Sequence, residues 1–141
     1  MNVDEAKELL SYHSGRNTDV ENHKWENGFL TSLRPFKGEL NEENFIEIME
    51  CMKVLVSEYS KDLLDRELIG DIISIIHYTR MWSEPGGMLE RNHLLSDEQT
   101  SLLMEWIFIM EDTLFWLLND CVEEAFFDYE EYLNERNFRN L

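Results

Sequence analysis

The chain has 141 residues, of which 43% are hydrophobic and 12% aromatic, enough apolar material for one folded domain over residues 1–141. Its 30 acidic residues outnumber its 12 basic residues, and the formal net charge at pH 7 is −18. Because this charge repels nucleic acid and anionic membrane surfaces, it argues against direct binding to either and favours a basic protein partner. The acidic N-terminus lacks a signal-peptide pattern and no apolar run reaches the ~20 residues that span a bilayer, so we expect a cytoplasmic protein.

The N-terminal part of the chain is predicted to form one helix followed by an irregular segment. Asn2 can cap a helix over residues 3–13, which carries two acids in its first turn. Glycine and proline interrupt residues 15–40, but large apolar side chains in this stretch indicate a loop that packs against the helices. Within it, residues 29–33 are predicted to form a short extended piece.

The middle of the chain contains two segments in which apolar residues recur at steps of three and four, the spacing of one buried helical face. The second predicted helix begins after Asn41, a favourable capping residue, and ends near Tyr59. The third predicted helix occupies residues 61–83, and Pro85 with the two glycines that follow it ends this helix.

The last third of the chain is predicted to hold two further helices. Ser96 and Gln99 have the spacing of a capping box at the start of the fourth helix. Asn119 and Asp120 separate it from a fifth helix over residues 121–136. With short connections between most segments, the pattern predicts an all-α fold: a compact bundle of four to five helices with a packed irregular segment near the N-terminus.

No recognisable motif for catalysis or metal binding occurs in the sequence. Residues 82–93 are predicted to be a rigid connection with Met88 and Leu89 in the core, and a functional loop is the alternative. Glu90 and His93 have the Glu-x-x-His spacing of carboxylate-bridged metal pairs in helical bundles, but there is no second copy. We therefore assign no catalytic, cofactor-binding or metal-binding residue and expect that the protein is not an enzyme.

The two cysteines, Cys51 and Cys121, each lie among apolar residues with no second cysteine nearby. Buried free thiols in a reducing compartment are the expected state. The sequence leaves open whether the two form a disulfide with each other.

The most specific feature of the sequence is a stretch of unrelieved negative charge. Between Arg91 and Arg136 there is no lysine or arginine, although acidic residues recur throughout the interval. Neighbouring like charges on a helix repel by a few tenths of a kcal/mol each, and a surface that serves only solubility usually mixes signs. A solvated face and a docking surface for basic side chains are the two interpretations.

Spacing within this stretch places the acids on shared helical faces. Steps of four, three and four residues put four acids on one face of the fifth predicted helix, and two more belong to a stripe on the fourth. A neighbouring tyrosine is included because tyrosines are favoured interface anchors. The predicted partner-binding residues are Glu105, Asp112, Glu124, Asp128, Glu131, Glu135 and Tyr132.

Two short segments, residues 26–36 (ENGFLTSLRPF) and residues 87–92 (GMLERN), flank the central predicted helices. Together with the helical spacing between them, they resemble small helical immunity proteins encoded beside bacterial contact-dependent or Rhs-type toxins. The resemblance implies a cytosolic inhibitor that binds the toxic C-terminal domain of a cognate effector. Many such toxins are nucleases with basic clefts, and immunity proteins of this kind act by binding, so the resemblance implies no catalytic residue.

The leading hypothesis is therefore an immunity protein whose acidic surface neutralises a cognate toxin domain. The alternative is an acidic DNA mimic that inhibits a restriction or CRISPR nuclease, with acids spaced like phosphates along an elongated surface. A metal-dependent helical enzyme is a third hypothesis. The sequence leaves open the toxin's identity and activity, the mode of inhibition and the oligomeric state.

Overall fold

Helices make up most of residues 1–139, the part of the chain that the computed structural model describes, and no strand occurs among these residues. The helices are α1 (Val3–His13), α2 (Lys24–Asn27), α3 (Phe29–Leu33), α4 (Glu42–Val54), α5 (Val56–Tyr59), α6 (Arg66–Ser83), α7 (Met88–Arg91), α8 (Asp97–Leu118), α9 (Val122–Ala125) and α10 (Phe127–Arg139). The predicted all-helical fold is confirmed. The number of helices differs from the prediction because short helical turns occupy segments that were expected to be irregular or continuous.

Helix α1 begins and ends where the sequence predicts. The side-chain oxygen of Asn2 accepts a hydrogen bond of 2.8 Å from the Glu5 N–H, which satisfies one of the free donors at the helix start. After the helix, Gly15 adopts φ +76°, the left-handed conformation that commonly ends helices.

Two short helices, α2 and α3, occupy part of the predicted irregular segment, and the extended piece predicted for residues 29–33 is wrong. Helical geometry lets Phe29, Leu30 and Leu33 all bury their side chains, whereas a strand would turn Leu30 away from the other two. The Phe29 N–H donates a buried hydrogen bond of 3.0 Å to Nδ1 of His13. This bond holds α3 against α1.

The second predicted helix is interrupted at Leu55, which has φ −94° and ψ 8° and separates α4 from α5. The third helix, α6, begins at Arg66 rather than at residue 61. The reason is local, because the Asp65 carboxylate accepts hydrogen bonds of 3.0 and 3.3 Å from the N–H groups of Glu67 and Leu68.

The start of α8 follows the prediction, and the C-terminal helix does not. The Ser96 hydroxyl accepts a hydrogen bond of 3.1 Å from the Gln99 N–H, and the Gln99 side chain accepts one of 2.9 Å from the Ser96 N–H. The predicted fifth helix is divided at Phe126, with φ −111° and ψ 10°, into α9 and α10. No glycine or proline marks this break in the sequence.

Aromatic side chains from α4, α8 and α10 meet in the core. The Phe45 ring stacks on Trp106 with centroids 5.4 Å apart, and Tyr129 and Tyr132 contact Phe45 edge-on at 6.0 and 5.2 Å. The Trp106 indole N–H donates a hydrogen bond of 2.9 Å to the Tyr132 hydroxyl, which in turn donates to the Glu42 carboxylate. This network fixes α10 against α4 and α8.

Both cysteines are free thiols. Cys51 is buried, and burial raises the pKa of its thiol to about 12. Cys121 is only half-buried, so the expectation of a buried thiol holds for Cys51 alone.

Candidate partner-binding surface

Four of the predicted acidic residues lie opposite one another on two neighbouring helices. Glu105 on α8 lies near Glu135 on α10, and Asp112 on α8 lies near Asp128 on α10. From Glu105 to Asp112 the number rises by seven on α8, while from their neighbours Glu135 to Asp128 it falls by seven on α10. The two helices therefore run antiparallel. The two stripes predicted separately from the sequence therefore adjoin. We call Glu105, Asp112, Asp128 and Glu135 the acidic cluster.

Two of the cluster carboxyl groups, Glu105 and Asp112, have raised pKa values, to which burial contributes most and the opposite carboxyl group adds. Burial, together with the neighbouring carboxyl of Asp128, raises the pKa of Asp112 to about 6. Partial burial and the charge of Glu135 raise the pKa of Glu105, and Arg139 offsets only part of that shift. Ionising the cluster at neutral pH therefore costs free energy in the isolated protein.

None of the ion pairs within residues 1–139 includes a carboxylate of the acidic cluster. Arg80 pairs with Glu111, and Lys53 lies 2.7 Å from Glu130, so two nearby acids are neutralised by cations from earlier in the chain. Within these residues, however, no lysine or arginine nitrogen comes within 4.0 Å of a cluster carboxylate. The cluster is thus a local excess of negative charge rather than one side of an internal salt-bridge network.

The remaining predicted residues separate into exposed acids and one buried tyrosine. Glu124 and Glu131 are exposed, but the break at Phe126 places Glu124 on α9, so the predicted four-acid stripe does not lie on one continuous helix. Tyr132 is only 1% exposed, and its hydroxyl is used inside the core by Trp106 and Glu42. Its assignment as a surface anchor is therefore corrected: Tyr132 is a core residue.

Exposed phenylalanines beside the cluster were missed by the sequence analysis. Phe108 and Phe115 on α8 are 60% and 54% exposed, and they lie seven residues apart on one face of the helix. They line a surface groove of about 260 Å³. The other residues of the groove are Arg80, Met104, Ile107, Glu111 and Asp112. Asp112 therefore belongs to both the groove and the acidic cluster.

A more careful reading of α8 could have found this face. Apolar residues occur on almost every side of the helix, more than a single buried face needs. This surplus of apolar residues on α8 is the sequence signal for an exposed apolar face that includes Phe108 and Phe115.

The connection between α6 and α8 is packed, as the sequence interpretation favoured. Leu89 on the short helix α7 is fully buried, and Met88 is half-buried against the core. The Glu90 carboxylate accepts a hydrogen bond of 2.8 Å from the Gly86 N–H. In the described part of the chain, no three or more His, Cys, Asp or Glu side chains are grouped so as to hold a metal ion.

A second polar cluster lies in the interior, away from the acidic cluster. His13 is fully buried, with its Nε2 3.5 Å from Glu47, and Lys24 also pairs with this glutamate. Burial lowers the pKa of His13, so the ring is neutral, accepts from Phe29 through Nδ1 and carries its proton on Nε2. Burial alone would raise the pKa of Glu47, but the neighbouring His13 ring and the hydrogen bond from Lys24 outweigh it and lower the pKa to about 2. These contacts explain a structural role in joining α1, α2 and α4.

The fold and this surface define a small all-helical protein with a local excess of negative charge beside exposed aromatic rings. No family model, no curated protein and no solved structure matches the chain. Of the helices within residues 1–139, none combines the length and the apolar character that crossing a bilayer requires.

Proposed function

We propose that this protein is an immunity protein that binds and neutralises the toxic C-terminal domain of a cognate bacterial effector. The observation that supports the proposal is the acidic cluster, in which carboxylates of α8 and α10 lie opposite one another and, within residues 1–139, have no lysine or arginine nitrogen within 4.0 Å. A partner that inserts basic side chains there would relieve a repulsion that the free protein bears.

Charge-assisted hydrogen bonds make such a contact strong. The toxin's substrate cleft, if it binds an anionic polymer, carries lysine or arginine side chains. Some of these side chains would bind the pair Asp112 and Asp128, and others would bind the pair Glu105 and Glu135. The overall charge of −18 would also speed the encounter with a basic toxin domain, most strongly at low salt. Occupation of the cleft by α8 and α10 would exclude the toxin's substrate.

Co-expression with the toxin domain encoded next to this chain tests the proposal. The native protein should restore growth, and the double variant E105K/E135K should bind the toxin at least tenfold more weakly, because both changes place a cation where a partner cation must sit. Both residues are exposed, so the variant should keep its fold, which circular dichroism would verify.

E21K/E39K is the matched control, since it makes the same change in net charge at two exposed glutamates outside the acidic cluster. It should protect as well as the native protein. Equal weakening by both double variants would show that only net charge matters, and unchanged protection by E105K/E135K would remove the site. A gene neighbourhood without a secreted toxin would contradict the proposed function itself.

A further inference from the structure

Helix α8 presents an apolar face to solvent that the rest of the described chain leaves uncovered. Phe108, Phe115 and Leu118 on this face are 60%, 54% and 40% exposed. A helix that is apolar on nearly all sides is normally covered on all sides. Large exposed apolar patches with a polar rim mark interaction sites in soluble proteins.

The apolar face of α8 contains a surface groove. Phe108 and Phe115 line the groove of about 260 Å³ together with Met104 and Ile107. Arg80 and Glu111 pair with each other at the groove and so neutralise each other's charge. The groove is large enough to accept an aliphatic or aromatic side chain.

Charge decides which kind of partner can cover this face. Asp112 is at once a lining residue of the groove and a member of the acidic cluster, so whatever fills the groove also meets uncompensated carboxylates. A second copy of this chain would bring its own acidic cluster and a net charge of −18 to the contact. An anionic membrane surface would be repelled in the same way.

We propose that the groove and the acidic cluster form one docking site for an amphipathic, lysine- and arginine-rich segment of a protein partner. An apolar side chain of the segment enters between Phe108 and Phe115, and its basic side chains bind Asp112 and the other cluster carboxylates. The inference rests on the proposed function for the source of this segment, the toxin domain. It adds that recognition is partly apolar, so that charge alone does not select the partner.

Two peptides of equal charge test the inference without the toxin. The first is a short helical peptide of leucine and lysine in amphipathic order, and the second keeps every lysine but replaces each leucine with alanine. Calorimetry at physiological salt should show that the leucine peptide binds the native protein at least tenfold more tightly than the alanine peptide. The variant F108S/F115S should lose this difference, while E105K/E135K should weaken both peptides.

The matched control is L63S, which removes an apolar side chain that is 90% exposed in the connection before α6. It should bind both peptides as the native protein does. Backbone amide shifts of the native protein give a measurement that needs no variant: the leucine peptide should perturb residues 104–115 most strongly.

Three results would overturn the inference: equal affinity for the two peptides, amide shifts that map to another surface, or a native dimer that F108S/F115S dissociates. The outcome is separable from the proposed function. If the leucine peptide binds as described but the co-expressed toxin still kills, the docking site stands and the immunity function falls. If the toxin is neutralised but the peptides bind equally, the immunity function stands and the apolar contact falls.

Discussion

The carboxyl group of Asp112 on α8 faces that of Asp128 on α10 within hydrogen-bonding reach. Two carboxylates held together in this way cannot both ionise without repulsion, and the nearest ion pairs leave them without a cation. The contact between these two helices is therefore less stable than it could be at neutral pH. Such local destabilisation is common where a surface is shaped for binding.

Replacing Asp128 with asparagine should stabilise the free protein at neutral pH. Because burial and, next to it, the Asp128 carboxyl raise the pKa of Asp112 from 3.8 to about 6, the folded protein binds more protons than the unfolded chain between these values, and D128N removes only the part due to Asp128. Stability from this contact is thus lost as the pH rises through that window. With solvent screening at a half-buried site, D128N should gain about 1 kcal/mol over the native protein at pH 7 and almost nothing near pH 4. Urea denaturation at both pH values measures the gain.

The matched control for D128N is E123Q, which also removes one negative charge from a neighbouring helix, at an exposed residue of α9. We expect it to change stability by less than about 0.5 kcal/mol at either pH. If D128N showed no greater gain at pH 7 than at pH 4, the two carboxyls would not repel in solution.

Removing the Tyr132 hydroxyl should destabilise the fold. Y132F leaves the buried Trp106 N–H without its acceptor and removes the donor to Glu42, which should cost about 1–3 kcal/mol. Y78F removes a tyrosine hydroxyl at a residue that is 42% exposed and should be nearly neutral. Equal stability of the two variants, measured by urea denaturation, would mean that Tyr132 is not held in the core as described.

The buried His13 should make the fold sensitive to mild acid. Its pKa is lowered in the folded protein, so stability is fully present above the ordinary value of 6.5 and declines as the pH falls below it. H13L should lose about 2 kcal/mol at pH 7 because the Phe29 N–H is left without an acceptor, and its stability should vary less with pH between 6.5 and 5. H23L, at an exposed histidine, should keep the native pH profile. Thermal melts over this range distinguish the two.

The close packing of the connection before α7 depends on Gly87. A Cβ atom there would lie 2.3 Å from the Met81 carbonyl oxygen and 2.6 Å from that of Trp82, so G87A should destabilise the protein by more than about 2 kcal/mol. Gly70 lies inside α6 with nothing within 4 Å of an added Cβ, so G70A should instead stabilise it by about 0.5–1 kcal/mol. If both variants changed the melting temperature in the same direction, the described packing would be wrong.

Helix caps set by neighbours in the chain were predictable, with the exception of the Asp65 cap of α6, and features set by tertiary packing were not. The caps at Asn2, Asn41 and Ser96 were read correctly because a capping side chain and its partner lie within three residues. The breaks at Leu55 and Phe126 carry no glycine or proline, so nothing local announced them.

The same distinction applies to the candidate surface. Helical spacing correctly grouped Glu105 with Asp112, since both lie on α8. That Asp128 and Glu135 lie opposite them depends on the antiparallel packing of α8 and α10, which spacing within one helix does not contain. A tyrosine beside acidic residues is compatible with an interface and with a core, so the sequence does not distinguish the two locations. The structure shows that Tyr132 lies in the core.

The most direct measurement is the pKa of Asp112, followed by carbon-13 NMR in the free protein and in its complex with the leucine and lysine peptide. A pKa of about 6 in the free protein and a value at or below the ordinary 3.8 in the complex are expected, because a bound ammonium group would become the nearest charge. An ordinary pKa in the free protein, or the same raised pKa in the complex, would contradict the claim that the Asp112 carboxylate binds a basic side chain of the partner.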